Sequence, residues 1–526
     1  MSTPDFVAAL LEPEAYPHPC REIRLIETHI SWVFLTGDYA YKVKKPVQFN
    51  FVDFSTLQLR THYCEEEVRC NRSFAEELYL GVVTINRAEG GGYRVQGSGE
   101  VVEHAVRMRE FPGDQQLDKL LAGGGLDVQA MHQFGLDLAD QHGKLPRLDA
   151  GRVVEKVDDQ VDVRVLKPVL DNFRTLRPLR ASARHRDLLA GLEQDSQTAY
   201  QRLRPRFLQR LRDGFTRECH GDLHLSNLVL LDGRIRAFDC LEFNANLRWI
   251  DTASDVAFLL MDCAVRGRSD LGYAFLDGYL SRNADYEGAG LSVFFQVYRS
   301  MVRAKVAALQ LEESAAGASE ENLALAERLA LHLHWAQDRL HRPTGSLVLM
   351  CGFSGSGKSY LGERLAPAFP AVRVRSDVLR KVNAGLAPES RSASAIDGGL
   401  YARDRTSAVY ADMLAVSEQL VNAGEHVVVD ATFLSRDSRA AFQALAQRLA
   451  TGCVVVHCFA GQAILEERVR RREHDGKDAS EAGLVVLRNQ PSRFDAIDGD
   501  ELTVEVDTGA EVDIGGLAVR IRAALS

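Results

Sequence analysis

The chain has 526 residues, 46% of them hydrophobic and 26% charged, with a formal net charge of −10. That length exceeds what one hydrophobic core usually serves and predicts two or three domains, while the acidic balance excludes wholesale coating of nucleic acid and leaves room only for a local basic cleft. The nine cysteines are scattered, with no CxxC pair and no metal-ligand spacing, and no apolar run nears the roughly 20 residues that span a bilayer, so a cytoplasmic protein with no membrane partner is expected.

From residue 22 to about 112, short β-rich runs alternate with one helical stretch. Ser31–Leu35 and residues 39–43 flank Thr36-Gly37-Asp38, a compact hairpin signal. Residues 57–78 predict a helix, and 80–85, 93–95 and 101–107 predict strands, the last two joined by a Gly/Ser turn. From 117 to about 210 the chain reads as helical and charged, interrupted by Gly123-Gly124-Gly125. Short strands are predicted at 227–231 and 235–238, separated by Asp232-Gly233. A second helical block covers 253–340, with breaks near Arg268 and at 283–290.

Between these elements lies Cys219-His220-Gly221-Asp222-Leu223-His224-Leu225-Ser226-Asn227. An Asp followed five residues later by Asn is the spacing of a kinase catalytic loop, here with His-Gly in place of His-Arg. Asp222 would orient or accept the acceptor proton, Asn227 would hold Mg²⁺, and Asp239, just after the next strand, would be a second metal residue in the place of the kinase DFG aspartate. Such a site needs a lysine on an early strand paired with a helical glutamate. Ala40-Tyr41-Lys42 has the A-x-K spacing, with Lys44 on the same strand face as a competitor. Glu67 is the chosen partner over Glu65 and Glu66, although solvated helix acids remain the plainer alternative.

This region, from about residue 23 to about 340, resembles the aminoglycoside phosphotransferase-like kinases, a group that includes choline and homoserine kinase relatives. The resemblance rests on His-Gly-Asp-x-His-x-x-Asn. It implies a hinge near 108–111 whose backbone holds adenine, and an Asp255 that supports the catalytic loop. The sequence departs from kinase pattern in lacking GxGxxG before the lysine strand; Gly97-Ser98-Gly99 lies after it, in a predicted hairpin turn.

Arg342-Pro343-Thr344-Gly345 is the expected domain boundary. Beyond it the order becomes β-α-β-α, with strands at 347–351, 372–375, 427–430 and 454–459, which predicts a parallel sheet with crossover helices. Gly352-Phe353-Ser354-Gly355-Ser356-Gly357-Lys358-Ser359 satisfies GxxxxGK[ST] between a strand and a helix. Its backbone N–H groups can close on phosphate oxygens, Lys358 can reach the β/γ phosphates, and the Ser359 hydroxyl can ligate Mg²⁺. Tyr360, the next residue, is counted with the nucleotide contacts. Asp377, after the second strand, can deprotonate an acceptor hydroxyl or merely cap a helix. Asp430 can meet Mg²⁺ or cap the following turn. Arg468 and Arg472 stand in a basic helical run that can supply lid cations, though many such arginines are solvated.

The runs GFSGSGKS, RSDVLRK, VVVDATF and LEERVRRR resemble the P-loop kinases that include gluconate kinase, adenylylsulfate kinase, zeta toxin and the 5′-hydroxyl polynucleotide kinases, over about residues 346–507. That resemblance implies that Asp377 contacts the acceptor hydroxyl and that arginines at 468–472 form the lid. The expected fold class is therefore mixed α/β and α+β. Residues 1–342 form a bilobal protein-kinase-like domain (small lobe about 22–112, helical large lobe about 113–341), and 343–526 form a P-loop parallel-sheet domain. The expected function is a bifunctional kinase using ATP and Mg²⁺ at two sites, each acting on a hydroxyl. The acceptor is an unidentified small molecule or, at the C-terminal site, a nucleotide or short nucleic-acid end. One active domain beside a nucleotide-binding regulator, or an NTPase, are the alternatives.

Overall fold

The computed structural model describes residues 4–49, 52–148, 157–314, 319–388, 403–475 and 483–525. They divide into two compact units. The first draws on Met1–Leu126, Lys144–Pro168 and Arg204–Asp255, and the second on Asp127–Gly143, Val169–Leu203 and Val256–Ser526.

The first unit is built on a six-stranded antiparallel sheet. Its strands are β1 (Arg24–Glu27), β2 (Ser31–Leu35), β3 (Tyr39–Lys44), β4 (Tyr79–Arg87), β5 (Tyr93–Val95) and β6 (Glu100–Arg109), in the order β1-β2-β3-β6-β4-β5. Alternation puts Trp32, Phe34, Tyr41, Val43, Ile85 and Ala105 into one buried cluster. Helix α1 (Leu57–Ala75), capped by the Thr56 hydroxyl on the Leu59 N–H, packs Cys64, Val68 and Ala75 against Val106 and Met108. Strand β7 (Thr216–Glu218) leads into the Asp222 loop. The hairpin β8 (Leu228–Leu231) and β9 (Arg234–Ala237) follows, and β10 (Trp249–Asp251) returns antiparallel to β7.

The second unit contains α2 (Val128–Lys144, up to Gly143), most of α3 (Thr252–Val265), then α4 (Ser269–Asn283), α5 (Tyr286–Glu313) and α6 (Glu320–Leu340). The predicted break at 283–290 is only two residues wide here. Asp285 caps α5 by accepting from the Gly288 N–H at 2.9 Å, so Gly288 and Gly290 lie inside a helix rather than in a loop. Both glycines are buried, and packing overrides their poor helix propensity.

The same unit carries a five-stranded, wholly parallel sheet: β11 (Leu347–Cys351), β12 (Ala371–Arg375), β13 (His426–Asp430), β14 (Cys453–Phe459) and β15 (Thr503–Asp507), in the order β12-β13-β11-β14-β15. Sequence reading found the first four strands and missed β15, whose alternating, half-exposed Thr-Val-Glu-Val-Asp is too polar to stand out. Helices α7 (Lys358–Ala368), α8 (Ser376–Asn383), α9 (Arg403–Asn422), α10 (Arg436–Arg448), α11 (Gln462–Asp475) and α12 (Ile514–Leu525) complete it. Leu361 and Leu365 of α7, with Leu517 and Ile521 of α12, cover one face of the sheet over Val348, Met350, Val428 and Val456.

Candidate active sites

In the first unit, β3 and α1 bring two lysines to one glutamate. Lys42 Nζ donates to Glu67 Oε1 at 2.8 Å and to Asp239 Oδ1 at 2.5 Å. Lys44 Nζ donates to Glu67 Oε2 at 2.7 Å and also to Glu242, a carboxylate that sequence reasoning did not single out. Glu66 is taken up by Arg69 and Arg248, and Glu65 is exposed. The lysines share a strand face, as period-two alternation requires, but differ in access: the Lys42 side chain is 13% exposed and that of Lys44 only 1%. Burial would lower the Lys42 ammonium, yet Asp239 and Glu67 outweigh it and hold it well above its usual range. Burial would raise Glu67, and the two ammonium groups instead hold it low. Glu242 goes the other way, pushed up by burial and by its neighbour Glu67 despite Lys44. Three carboxylates against two ammonium groups leave one surplus negative charge, which suits a cation in addition to the lysines.

The Asp222 loop is fixed from beneath. The fully buried Asp255 carboxylate accepts the His220 and Gly221 N–H groups, both at 2.8 Å. His220, whose imidazole burial keeps neutral, donates from Nε2 to the Phe238 carbonyl at 2.9 Å and accepts the Asp222 N–H on Nδ1 at 3.3 Å. Asn227 Nδ2 donates to Asp222 Oδ2 at 3.0 Å, so the proposed proton acceptor and one proposed metal residue touch. Asp239 sits at φ +61, a strained backbone for a non-glycine residue that recurs at functional positions. The β1–β2 connection, ahead of the lysine strand, is Thr28-His29-Ile30 and carries no glycine.

In the second unit the loop Gly352–Ser359 runs from β11 into α7. Gly352 has φ +144, and a Cβ there would lie 2.2 Å from the Cys458 carbonyl oxygen, so no side chain fits. Lys358 is buried, its ammonium lowered by desolvation and donating to the Phe353 carbonyl at 2.8 Å. Gln490 brackets Ser354, accepting its N–H at 2.7 Å and donating to its hydroxyl at 3.0 Å; nothing in the sequence marked it. Thr508 donates to the Ser356 carbonyl at 2.8 Å. Arg468 binds the Thr508 carbonyl at 2.7 Å and reaches the Gly355 carbonyl at 3.4 Å, which ties it to the phosphate loop. Arg472 interacts electrostatically with Lys358. Tyr360 is 62% exposed and carries the Arg364 guanidinium on its ring.

Ser359 Oγ donates to Asp430 Oδ1 at 3.2 Å, while Asp430 Oδ2 is buried without a hydrogen bond. Adjacent hydroxyl and carboxylate oxygens, one of them without a hydrogen bond although two guanidinium groups stand 3.5 and 3.9 Å away, fit a hard divalent cation. Asp377 is half-buried in the first turn of α8, at the carboxyl edge of the sheet where ligands bind in such folds. A cavity of about 350 Å³ opens among α4, α5 and α6, lined by Tyr273, Trp335, Arg339 and Glu425 and by none of the phosphate-loop residues.

The family model described as phosphotransferase enzyme family matches residues 93–291, and that described as an AAA domain matches 347–497. The chain is 30% identical over 503 residues to the uncharacterized protein Rv2004c of Mycobacterium tuberculosis (strain ATCC 25618 / H37Rv), covering 95% of this chain and 94% of that one. The uncharacterized protein Mb2027c of Mycobacterium bovis matches to the same extent. Among solved structures, a choline/ethanolamine kinase family protein from Mesorhizobium loti is 13% identical, covering 63% of this chain and 97% of that one with a TM-score of 0.35. The APS kinase of Mycobacterium tuberculosis is 18% identical, covering 35% and 98% with a TM-score of 0.26. Among the described residues, no helix is long and apolar enough to cross a membrane.

Proposed function

Because this chain belongs to the same family as those mycobacterial proteins, a fusion of a phosphotransferase-family domain with a P-loop kinase domain, we propose that it is a two-site, Mg-ATP-dependent kinase acting on hydroxyl acceptors. What supports the reading is that each compact unit gathers its own cluster: Lys42, Glu67 and Asp239 with the Asp222–Asn227 pair in the first, and the Gly352–Ser359 loop with Asp430 against Ser359 and Asp377 at the carboxyl edge of the sheet in the second.

At the first site, Lys42 would hold ATP phosphates, steadied by Glu67. Asp239 and Asn227 would hold Mg²⁺, and Asp222 would take the acceptor proton. At the second, the N–H groups of Gly352–Ser359 and Lys358 would hold the phosphates. Ser359 and Asp430 would hold Mg²⁺, Asp377 would face the acceptor, and Arg468 and Arg472 would lie beside the transferred group. The cation supplies neutralisation of the phosphate charge at both. In each transfer the acceptor oxygen bonds to the γ-phosphorus, the bond from that phosphorus to the β–γ bridging oxygen breaks, and the acceptor proton passes to the carboxylate as ADP leaves. Alignment of the reactants supplies up to ~7–11 kcal/mol of such a barrier. Loss of the positioned base costs on the order of 10²–10⁴ in rate.

The test follows label from γ-labelled ATP into an extract of metabolites and short RNAs, using the parent, Asp222→Ala and Lys358→Ala. A different product lost in each variant is the expected result, and the products name the acceptors. Labelling unchanged in both variants, or absent with the parent, would sink the two-kinase reading.

A further inference from the structure

Strand β12 carries an arginine where a parallel-sheet strand usually carries an apolar residue. Arg373 is flanked by Val372 and Val374 and is 2% exposed. Its partner is Asp277 of α4, a helix in the segment matched by the phosphotransferase model, whereas Arg373 lies in the P-loop segment. The pair is bidentate: Arg373 Nε and Nη2 donate to the two Asp277 oxygens, both at 2.8 Å. Asp277 is itself 3% exposed, with His132 Nε2 of α2 3.2 Å from its Oδ2. Its seat is rigid, since a Cβ at neighbouring Gly278 would lie 2.0 Å from the His132 carbonyl oxygen, and α2 and α4 meet there backbone to backbone.

The remaining nitrogen, Arg373 Nη1, donates to the Ser359 carbonyl at 3.1 Å. It also stands 3.5 Å from Asp430 Oδ2, the carboxylate oxygen that has no hydrogen bond. Arg375 Nε lies 3.9 Å from that same oxygen. A buried guanidinium deprived of Asp277 would have Asp430 as the nearest carboxylate, and the two would close into a full ion pair.

We propose that Asp277 is a positioning residue for the P-loop site: by neutralising Arg373 it keeps the Asp430 carboxylate available to a divalent cation, so that the phosphotransferase-family segment completes the cation site of the P-loop segment. This rests on the reading of Ser359 and Asp430 as the Mg²⁺ residues. The mechanism predicts that loss of Asp277 weakens Mg²⁺ binding and loss of Arg373 does not, an asymmetry within one ion pair that a purely structural role does not produce. Asp277→Asn leaves Arg373 charged and free to claim Asp430, whereas Arg373→Met removes the competitor.

The experiment measures binding of a fluorescent ADP analogue to the full-length protein as a function of Mg²⁺, taking as P-loop binding the part that Lys358→Ala abolishes. Asp277→Asn is expected to raise the Mg²⁺ concentration for half-saturation by about tenfold or more, with Mg²⁺-free nucleotide binding within about twofold of the parent. Arg373→Met is expected to keep or lower that concentration. Equal weakening in both variants, or no change in Asp277→Asn, overturns the proposal. Should Asp277→Asn fail to fold, the apolar pair Asp277→Leu/Arg373→Met replaces the buried ion pair, a change that is often neutral or stabilising. Weakening of about tenfold in both that double variant and Arg373→Met would equally overturn it. If Lys358→Ala removes no binding, the P-loop reading itself fails, a result separable from the behaviour of Asp277.

Discussion

Replacing Lys44 with methionine is expected to destabilise the first unit while sparing its nucleotide binding, the reverse of what Lys42→Met should do. The Lys44 ammonium is 1% exposed and its contacts are Glu67 and Glu242, themselves 0% and 4% exposed. Methionine preserves the length of the stem and its place over the Phe54 ring, where the ammonium lies 4.9 Å from the centroid. What it removes is the charge. Glu67 keeps Lys42, so Glu242 is the group left buried without its cation. Breaking a buried pair in this way costs about 3–5 kcal/mol, or roughly 6–20 °C in melting temperature for a unit of this size. Protonation of Glu242, already pushed up by burial, places the expected value toward the lower end. Scanning calorimetry of the parent, Lys44→Met and Lys44→Met/Glu242→Leu checks this, with the double variant recovering most of the loss. A Lys44→Met protein that melts with the parent but no longer binds nucleotide would refute the assignment and make Lys44 the phosphate lysine.

Gly352→Ala should impair the phosphate loop, because its Cβ would stand 2.2 Å from a backbone carbonyl at φ +144. P-loop nucleotide binding is expected to fall by about tenfold or more, with about 1–3 kcal/mol of stability lost to the strained backbone, and titration with a fluorescent nucleotide would reveal a loop indifferent to the change. Burial and nearby arginine charge depress the His332 imidazole to about 4, so its folded-state pKa lies below the unfolded value. Above about pH 6.5 both states are neutral and nothing is lost. As pH falls through 6.5 toward 4 the unfolded chain takes up the proton first, at about 2 kcal/mol of lost stability by pH 5. His332→Asn should therefore flatten the melting profile between pH 7 and 5; a slope identical to the parent's would exclude the residue.

The sequence by itself determined the parts whose chemistry is local. A glycine-rich turn between a strand and a helix, and an Asp–Asn spacing beside a short hairpin, need only their neighbours along the chain, so the loops at Gly352–Ser359 and Asp222–Asn227 were legible, as were most strands from short apolar runs bounded by turn residues. The tertiary structure decided everything that depends on which groups lose water together. Lys42 and Lys44 share one strand face and one glutamate, and only burial separates an accessible ammonium from an enclosed one. Glu242 comes into play because folding returns the chain after Asp239 to β3, 198 residues away from Lys44 in sequence. Asp277 and Arg373 belong to no motif in the sequence. Their bond spans 96 residues and joins the segments matched by two different family models. No local pattern encodes it, because a buried ion pair is specified by the desolvation of both partners at one point in space.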